Sequence, residues 1–500
     1  MNHALILGVQ NRYVTRNLGA HRIATWLRQH DWDVEVVDYT GFWPYEYLLE
    51  LVKSRVTDDT VFVGFSDMWN GLGIQSDIIQ NYQNIIDWIK KNFPRVKIVV
   101  GSQKINTTII NADFYMEGYA EHAFLELIKH WLGTSTEKLK YTLFRSGKLI
   151  KGSDYSSIFM KDLRVRYEPR DFIHPSDQLG IEWSRGCKFE CDFCNFFPLN
   201  VKGDNFRDVQ NYIDDVKYLN DEYGVSTFYC ADSTANVNNE KLALFGEETQ
   251  KQLSFTPWIT GYARVDLMIA HPETWDSMIA MGYTGHHYGI ETLNYQTGKC
   301  VKKGMHPDKV KQGLLDIKKY FGQQSIYRTR ISLIAGLPYE TYDTFLDGVN
   351  WICNNLPEAN LTTFPLWIPH KNQYDEQSRS IIASDYESYG YSDPIGEPGI
   401  DGSIKWENND TNTSWKGMTE LILHHPMLSK RPLPPNPWLV GEIMLTTGMS
   451  LDDAFDIKWV DNRENRLFLN EADYQFYSPA GTYEYIKEYI RKKLNWKASL

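Results

Sequence analysis

Strand-length apolar runs alternate with amphipathic helical stretches along this chain, and the alternation starts twice. Parallel strands need a crossover between them, so a repeated strand-helix rhythm restricts a chain to layered α/β architectures. The first series runs ALILGV, residues 17–30, VEVVDY, VFVGF, residues 75–92, VKIVVG, ADFYMEG and residues 120–132. It predicts a doubly wound, Rossmann-like parallel sheet over residues 1–135. Residues 136–178 interrupt the rhythm with a hairpin pattern at YTLFRSGKLI and a polar stretch from Arg166 to Asp177, and read as a linker. The second series begins at Leu179 with GIEWS, helix 206–222, STFYCAD, helix 239–253, PWITGYA and helix 272–281. It continues with YTGHHYGIE, helix 308–321, YRTRISLIAG, helix 341–355 and LTTFPLWIP. Six such units predict a partial (β/α)6 barrel over residues 179–370. Residues 371–500 turn rich in Asn, Gly, Pro and Trp, with helical segments near 415–424 and 481–494. This α-rich tail is expected to cap the barrel and to select the substrate.

Parallel barrels keep their chemistry on loops at the carboxyl ends of the strands. Three of the six cysteines fall in such a place, in Arg185-Gly186-Cys187-Lys188-Phe189-Glu190-Cys191-Asp192-Phe193-Cys194, directly after the first barrel strand. Thiols separated by three and then two residues can wrap one metal centre. On a four-iron cubane they leave one iron without a protein ligand, open to a small molecule. Zinc is the competing reading, although closed zinc sites usually take four Cys or His ligands in two spaced pairs and no second pair exists here. Cys230, Cys300 and Cys353 are dispersed, and a buried strand position is the plainer reading of Cys230.

Length and charge narrow the function. With 500 residues and 42% hydrophobic content the chain can bury several cores. A net charge of −12 opposes a broad phosphate-binding surface, so a small-molecule or peptide substrate is expected rather than nucleic acid. No apolar run reaches the roughly 20 residues of a membrane helix, and MNHALILGVQNRYV lacks a signal-peptide pattern; no membrane partner and a cytoplasmic location are expected.

The cysteine segment resembles the radical S-adenosylmethionine (SAM) superfamily, whose CxxxCxφC motif, φ being aromatic, follows the first strand of a partial barrel. The resemblance implies that Cys187, Cys191 and Cys194 ligate a [4Fe-4S] cluster, that SAM chelates the fourth iron, and that Phe193 packs beside the adenine. Later strand ends are similar to family segments in the same order. Cys230-Ala-Asp232-Ser233-Thr234 resembles the segment that meets the methionyl amine, where Asp232 could equally be a helix N-cap. Tyr262-Ala-Arg264-Val-Asp266 suggests Arg264 for the SAM carboxylate, against a structural salt bridge to Asp266. Tyr288-Gly289-Ile290-Glu291-Thr292 suggests Glu291 for the ribose, and Gly336-Leu-Pro338-Tyr-Glu340-Thr341 suggests a close approach of adenine at Gly336.

Asn17-Leu-Gly19-Ala-His21, Asp38, Gly101-Ser-Gln and Glu117-Gly118-Tyr-Ala-Glu121 resemble the cobalamin-binding-type domain that precedes many such barrels. The Asp-x-His-x-x-Gly motif of cobalt-ligating relatives is missing, and His21 reads as a helix-surface residue. The resemblance therefore implies a radical SAM enzyme that cleaves SAM reductively to a 5'-deoxyadenosyl radical, fed by a donor such as flavodoxin or ferredoxin. Cobalamin-dependent methyl transfer is its most concrete subtype. Methylthiolation of transfer RNA would call for three further N-terminal cysteines, and none precedes Cys187. The alternative from another class is a non-catalytic iron-sulfur or zinc scaffold. In the tail, Trp406, Trp415 and His424-His425 are candidates by location, with core or surface roles the plainer reading.

Overall fold

The computed structural model describes residues 2–9, 16–67, 76–103, 105, 110–155, 163–194, 206–324, 327–370, 380–397, 403–425, 428 and 483–496. Its first sheet holds β1 (Asn2–Val9), β2 (Trp32–Val37), β3 (Thr60–Asp67), β4 (Lys97–Ser102), β5 (Phe114–Glu117), β6 (Thr142–Phe144) and β7 (Gly147–Lys151). The spatial order is β2-β1-β3-β4-β5-β7-β6, parallel throughout except for β6 against β7. Apolar residues run continuously along β1 because both of its faces are covered. Ala4 and Ile6 pack with Ala20, Ala24 and Leu27 of the helix Leu18–Arg28 and with Phe124 and Leu127 of the helix Glu121–Trp131. Leu5, Leu7 and Val9 face the opposite core, with Leu48 and Leu51 of the helix Tyr45–Arg55 and Ile85 and Ile89 of the helix Ser76–Asn92. The doubly wound sheet is thus present. The helix Tyr45–Arg55 supplies a crossover between β2 and β3 that the sequence pattern did not mark.

The second sheet contains β8 (Gln178–Ile181), β9 (Thr227–Cys230), β10 (Trp258–Ala263), β11 (Tyr283–Glu291), β12 (Arg328–Ala335) and β13 (Asn360–Pro365), all parallel and in chain order. Among the described residues β8 and β13 do not pair, which leaves a partial barrel. Phe228, Cys230, Ile259, Ile331 and Leu333 join the core under the outer helices. The alternate residues meet one another on the other face, where His287 stacks on Tyr262 at 4.3 Å, shares a 2.7 Å hydrogen bond with Ser332, and Gln178 donates to Thr260 at 3.0 Å. The helices are delimited by their caps: Asp208 accepts from Gln210 and Asn211, and Thr341 and Thr344 form a capping box. The expected helix 272–281 is shorter, running Trp275–Met281 after a 3₁₀ turn at Pro272–Thr274, and short helices also form at Val265–Ala270 and Tyr295–Cys300.

The tail divides. Tyr391, Ile404, Trp406 and Met418 belong to the barrel core. The helix Tyr483–Asn495 instead returns to the first domain, placing Tyr489 and Ile490 in the core beneath β1 and β3. Lys493 there is fully buried and donates to the Val36 carbonyl at 2.6 Å. No helix among the described residues is long and apolar enough to cross a membrane.

Candidate functional site

The cysteine loop leaves β8 and returns to it. Ser184 bridges Phe206, and the Arg207 amide donates to the Trp183 carbonyl at 2.7 Å, so the feet of the loop are clamped at the carboxyl end of the first barrel strand. Gly186, at φ +92°, makes the turn into Cys187 in a region that side-chain-bearing residues rarely enter. Within the loop the Cys194 amide donates to the Cys191 carbonyl at 3.0 Å. Asp192 is buried and anchors the centre: its carboxylate pairs with Lys302 at 2.7 Å, and its carbonyl accepts from Ser380 Oγ at 2.9 Å.

Donors aim at the sulfurs. Thr234 Oγ1 donates to Cys187 Sγ at 3.3 Å, and Arg264 Nη1 to Cys191 Sγ at 3.6 Å. Arg264 also forms the fork salt bridge with Asp266, through Nε at 2.9 Å and Nη2 at 2.5 Å, and lies 3.6 Å from the centroid of the Phe189 ring. Burial works against the Asp266 carboxylate, but the Arg264 bonds hold it below the usual carboxylate range. Asn236 fixes the Arg264 backbone by accepting its amide at 2.9 Å and donating to its carbonyl at 3.0 Å. The salt bridge and the place beside the thiols therefore coexist.

Phe193, half-buried, has Lys303 Nζ 5.8 Å above its ring. The same ammonium donates to the Gly289 carbonyl at 2.6 Å and stands 3.6 Å from Glu291 Oε1, bringing Phe193 and Glu291 to one side of the loop. Glu291 sits just past a register shift in β11 at φ +68°, a left-handed conformation that costs a non-glycine residue of order 1–3 kcal/mol and is typical of functional positions. Burial raises its pKa against the pull of Lys303.

Two of the sequence-predicted residues have other neighbours than expected. Asp232 is 2% exposed, accepts from the Trp183 amide at 3.0 Å and bonds Ser184 Oγ at 2.6 Å; it caps no helix and braces the foot of the cysteine loop from β9. Burial, and then the nearby Glu182, push its pKa up to about 8. Gly336 adopts φ +82°, and the space of its missing Cβ is filled by Trp406, whose ring carbon would stand 2.2 Å from an added Cβ. Tyr391 Oη donates to the Gly336 carbonyl at 2.6 Å, so the tail holds this turn on the side where the Cβ would lie. His21 also corrects the surface reading: it is fully buried, and Nε2 lies 2.8 Å from Asp38, which Arg16 holds from the other side at 3.1 Å. Of the remaining candidates, Trp406 is buried, Lys405 Nζ lies over the Trp415 ring at 3.7 Å, His424 is exposed and His425 half-buried. Phe189 and Thr234 also border the site from segments the sequence marks without giving these two residues a role, and Lys303 reaches it from a loop that no spacing pattern marks.

The donor set suits a cubane. Three thiols outside any disulfide share one loop, and hydrogen bonds to cluster sulfurs from outer residues are a recognised way to tune such centres. Among the described residues no three His, Cys, Asp or Glu side chains converge on a single ion, whereas a cubane distributes its thiolates over separate irons.

The model of the radical SAM superfamily matches residues 181–352. Among curated proteins, the anaerobic magnesium-protoporphyrin IX monomethyl ester cyclase of Cereibacter sphaeroides is 22% identical over 225 residues, covering 43% of this chain and 34% of the cyclase. The chain thus spans about a third of that relative's length. Among solved structures, the radical SAM methyltransferase TsrM of Kitasatospora setae, with cobalamin and a [4Fe-4S] cluster bound, aligns with a TM-score of 0.61 at 14% identity, covering 93% of this chain and 99% of that one. The cobalamin-dependent SAM radical enzyme OxsB, with aqua-cobalamin bound, aligns at 0.62 and 12% identity over 99% of this chain and 80% of that one. The shared fold extends across both α/β domains, and the family match begins at the strand that carries the cysteine loop. The similarity to the radical SAM superfamily thus lies in residues 181–352, the segment that holds the cysteine loop.

Proposed function

We propose that this chain is a radical SAM enzyme acting on a small-molecule or peptide substrate, with Cys187, Cys191 and Cys194 as ligands of a [4Fe-4S] cluster. The observation that carries the reading is the cysteine loop itself, clamped at the carboxyl end of β8 with Arg264 and Thr234 donating to its sulfurs. When bound, such a cluster with one open iron supplies electrons for reductive cleavage of SAM to a 5'-deoxyadenosyl radical. The protein's part is binding and orientation. Arg264, already a fork donor beside Cys191, would share its guanidinium with the SAM carboxylate. Glu291 would accept from ribose hydroxyls and Phe193 would line the adenine. Asp232 supports this set from behind the loop, and Gly336 through the turn that Trp406 fixes. An external one-electron donor of the flavodoxin or ferredoxin kind fits this chemistry. A cytoplasmic location is supported by six cysteines that form no disulfide.

Cobalamin in the first domain, serving methyl transfer, is the subtype we favour. The strand order β2-β1-β3-β4-β5 sets a topological switch point between β1 and β3, where open α/β sheets bind ligands. An added Cβ at Gly101, at the end of β4, would meet nothing within 4 Å, which suits a ligand lying on that edge. The chain carries no Asp-x-His-x-x-Gly motif and His21 is fully buried, so a corrinoid here is expected without a protein histidine as cobalt ligand.

Replacing all three cysteines with Ala should abolish the cluster. After anaerobic reconstitution and desalting the wild type should retain about four iron and four sulfide per chain, and the triple variant close to none. Equal retention in both would refute the ligand assignment, while zinc in place of iron and sulfide would favour the scaffold reading.

A further inference from the structure

Arg185 precedes the first cysteine by two residues, yet its guanidinium is gripped from another domain. Nη2 lies 2.6 Å from Glu121 Oε1 and Nε 2.9 Å from Glu182 Oε1. Its guanidinium carbon sits 4.1 Å over the Tyr119 ring. Arg22 completes the set, 2.6 Å from Glu182 and 3.8 Å from Glu121. The side chains of Arg22, Glu121, Glu182 and Arg185 are 11%, 8%, 5% and 5% exposed. Two cations and two anions therefore balance in a nearly dry space, where removing one partner strands a charge that water cannot rescue. Burial opposes ionisation of both carboxylates, but the two guanidiniums hold each below its usual range.

The ownership of these residues gives the network its meaning. Arg22 lies on the helix Leu18–Arg28, and Glu121 opens the helix Glu121–Trp131, directly after Tyr119. Glu182 follows β8, and Arg185 leads through Gly186 into Cys187. The conformation of the cysteine loop thus fixes where the Arg185 fork points, and the fork fixes the first turn of a helix in the N-terminal domain.

We infer that Arg185 is a positioning residue that couples occupation of the cysteine loop to the order of the segment 117–127 in the N-terminal domain, through its bonds to Glu121 and its stacking on Tyr119. The inference rests on the cluster assignment above. Coupling is reciprocal: what cluster loading does for the segment, loss of Glu121 does against the cluster.

Hydrogen exchange on the full chain, compared between cluster-loaded and cluster-free protein, tests it. In the wild type, loading should slow exchange in peptides covering 117–127 by about fivefold or more, the lower end of ordinary allosteric coupling. In Glu121→Gln that slowing should vanish, and in equilibrium competition a chelator should remove the cluster at about fivefold lower concentration than in the wild type. Arg185→Lys, which keeps the charge but not the fork, should behave likewise. A purely structural contact would lower stability yet leave the loaded-minus-free difference intact, and that result overturns the inference. So does a wild type whose 117–127 peptides exchange alike in both states, a comparison that needs no variant to fold. Wild-type protein that takes up no iron and sulfide overturns the cluster assignment first and this inference with it.

Discussion

Both oxygens of Asp232 are occupied inside the protein, by the Trp183 amide and by Ser184 Oγ, in a place with 2% exposure. Burial, with Glu182 adding repulsion, pushes its pKa up to about 8, so the folded state holds a proton that the unfolded carboxylate releases near pH 4. Between those values the folded state binds more protons than the unfolded state, and stability falls as pH rises. Asn at this position keeps an acceptor for Trp183 and gains a donor for Ser184. Asp232→Asn should therefore gain stability relative to the wild type, by about 1 kcal/mol or more, as pH is raised from 5 to 8. Urea unfolding of both proteins at several pH values checks this, and a difference constant with pH would contradict it. At this scale the cysteines were legible because three thiols in eight positions have few other uses. Asp232 was ambiguous because the same side chain can meet an ammonium, cap a helix or bridge two strands, and only the packing of β8 beside β9 selects the third.

Among the elements, the helix Tyr483–Asn495 departs furthest from its sequence reading. Its pattern is amphipathic, which announces a buried face but not the surface that buries it. The partner is the N-terminal sheet: Tyr489 Oη accepts from the Asp38 amide at 2.9 Å, its ring meets Tyr39 edge-on at 5.3 Å, and Arg16 lies 4.7 Å over it. Tyr489→Ala should destabilise the protein by about 3 kcal/mol, and Tyr489→Phe by only about 1 kcal/mol through the lost hydrogen bond. Urea midpoints read both, and an unshifted Tyr489→Ala would mean that the helix does not dock there. The barrel strands were easier, since β-rich runs such as TFYC and RTRISLIA stand between capped helices. The helix Tyr45–Arg55 went unmarked because it buries only Leu48, Leu51 and Val52 of its eleven residues, too thin a stripe to announce itself beside the aromatic segment before it. Likewise, Gly336 is legible as a glycine that something must approach, while the identity of Trp406 as the approaching group depends on a tail 70 residues later.

For the molecule as a whole, the arrangement is two parallel α/β units joined by charge. The N-terminal domain grips the barrel through Arg16 with Asp177, and through Arg22 and Glu121 with Glu182 and Arg185, so that one of the joints is the root of the cysteine loop. The chain's last described helix then ties its end back to its beginning. The central claim is that this frame presents SAM to the iron left open by three cysteines, between Arg264 on one side and Glu291 with Phe193 on the other. The most direct measurement is product analysis of the anaerobically reconstituted protein with dithionite and SAM. The account predicts 5'-deoxyadenosine and methionine from the wild type, and a loss of about tenfold or more in Arg264→Ala and Glu291→Ala, the scale of a lost charged hydrogen bond, with their cluster content unchanged. A wild-type protein that carries its full cluster yet neither binds SAM nor releases 5'-deoxyadenosine would contradict it.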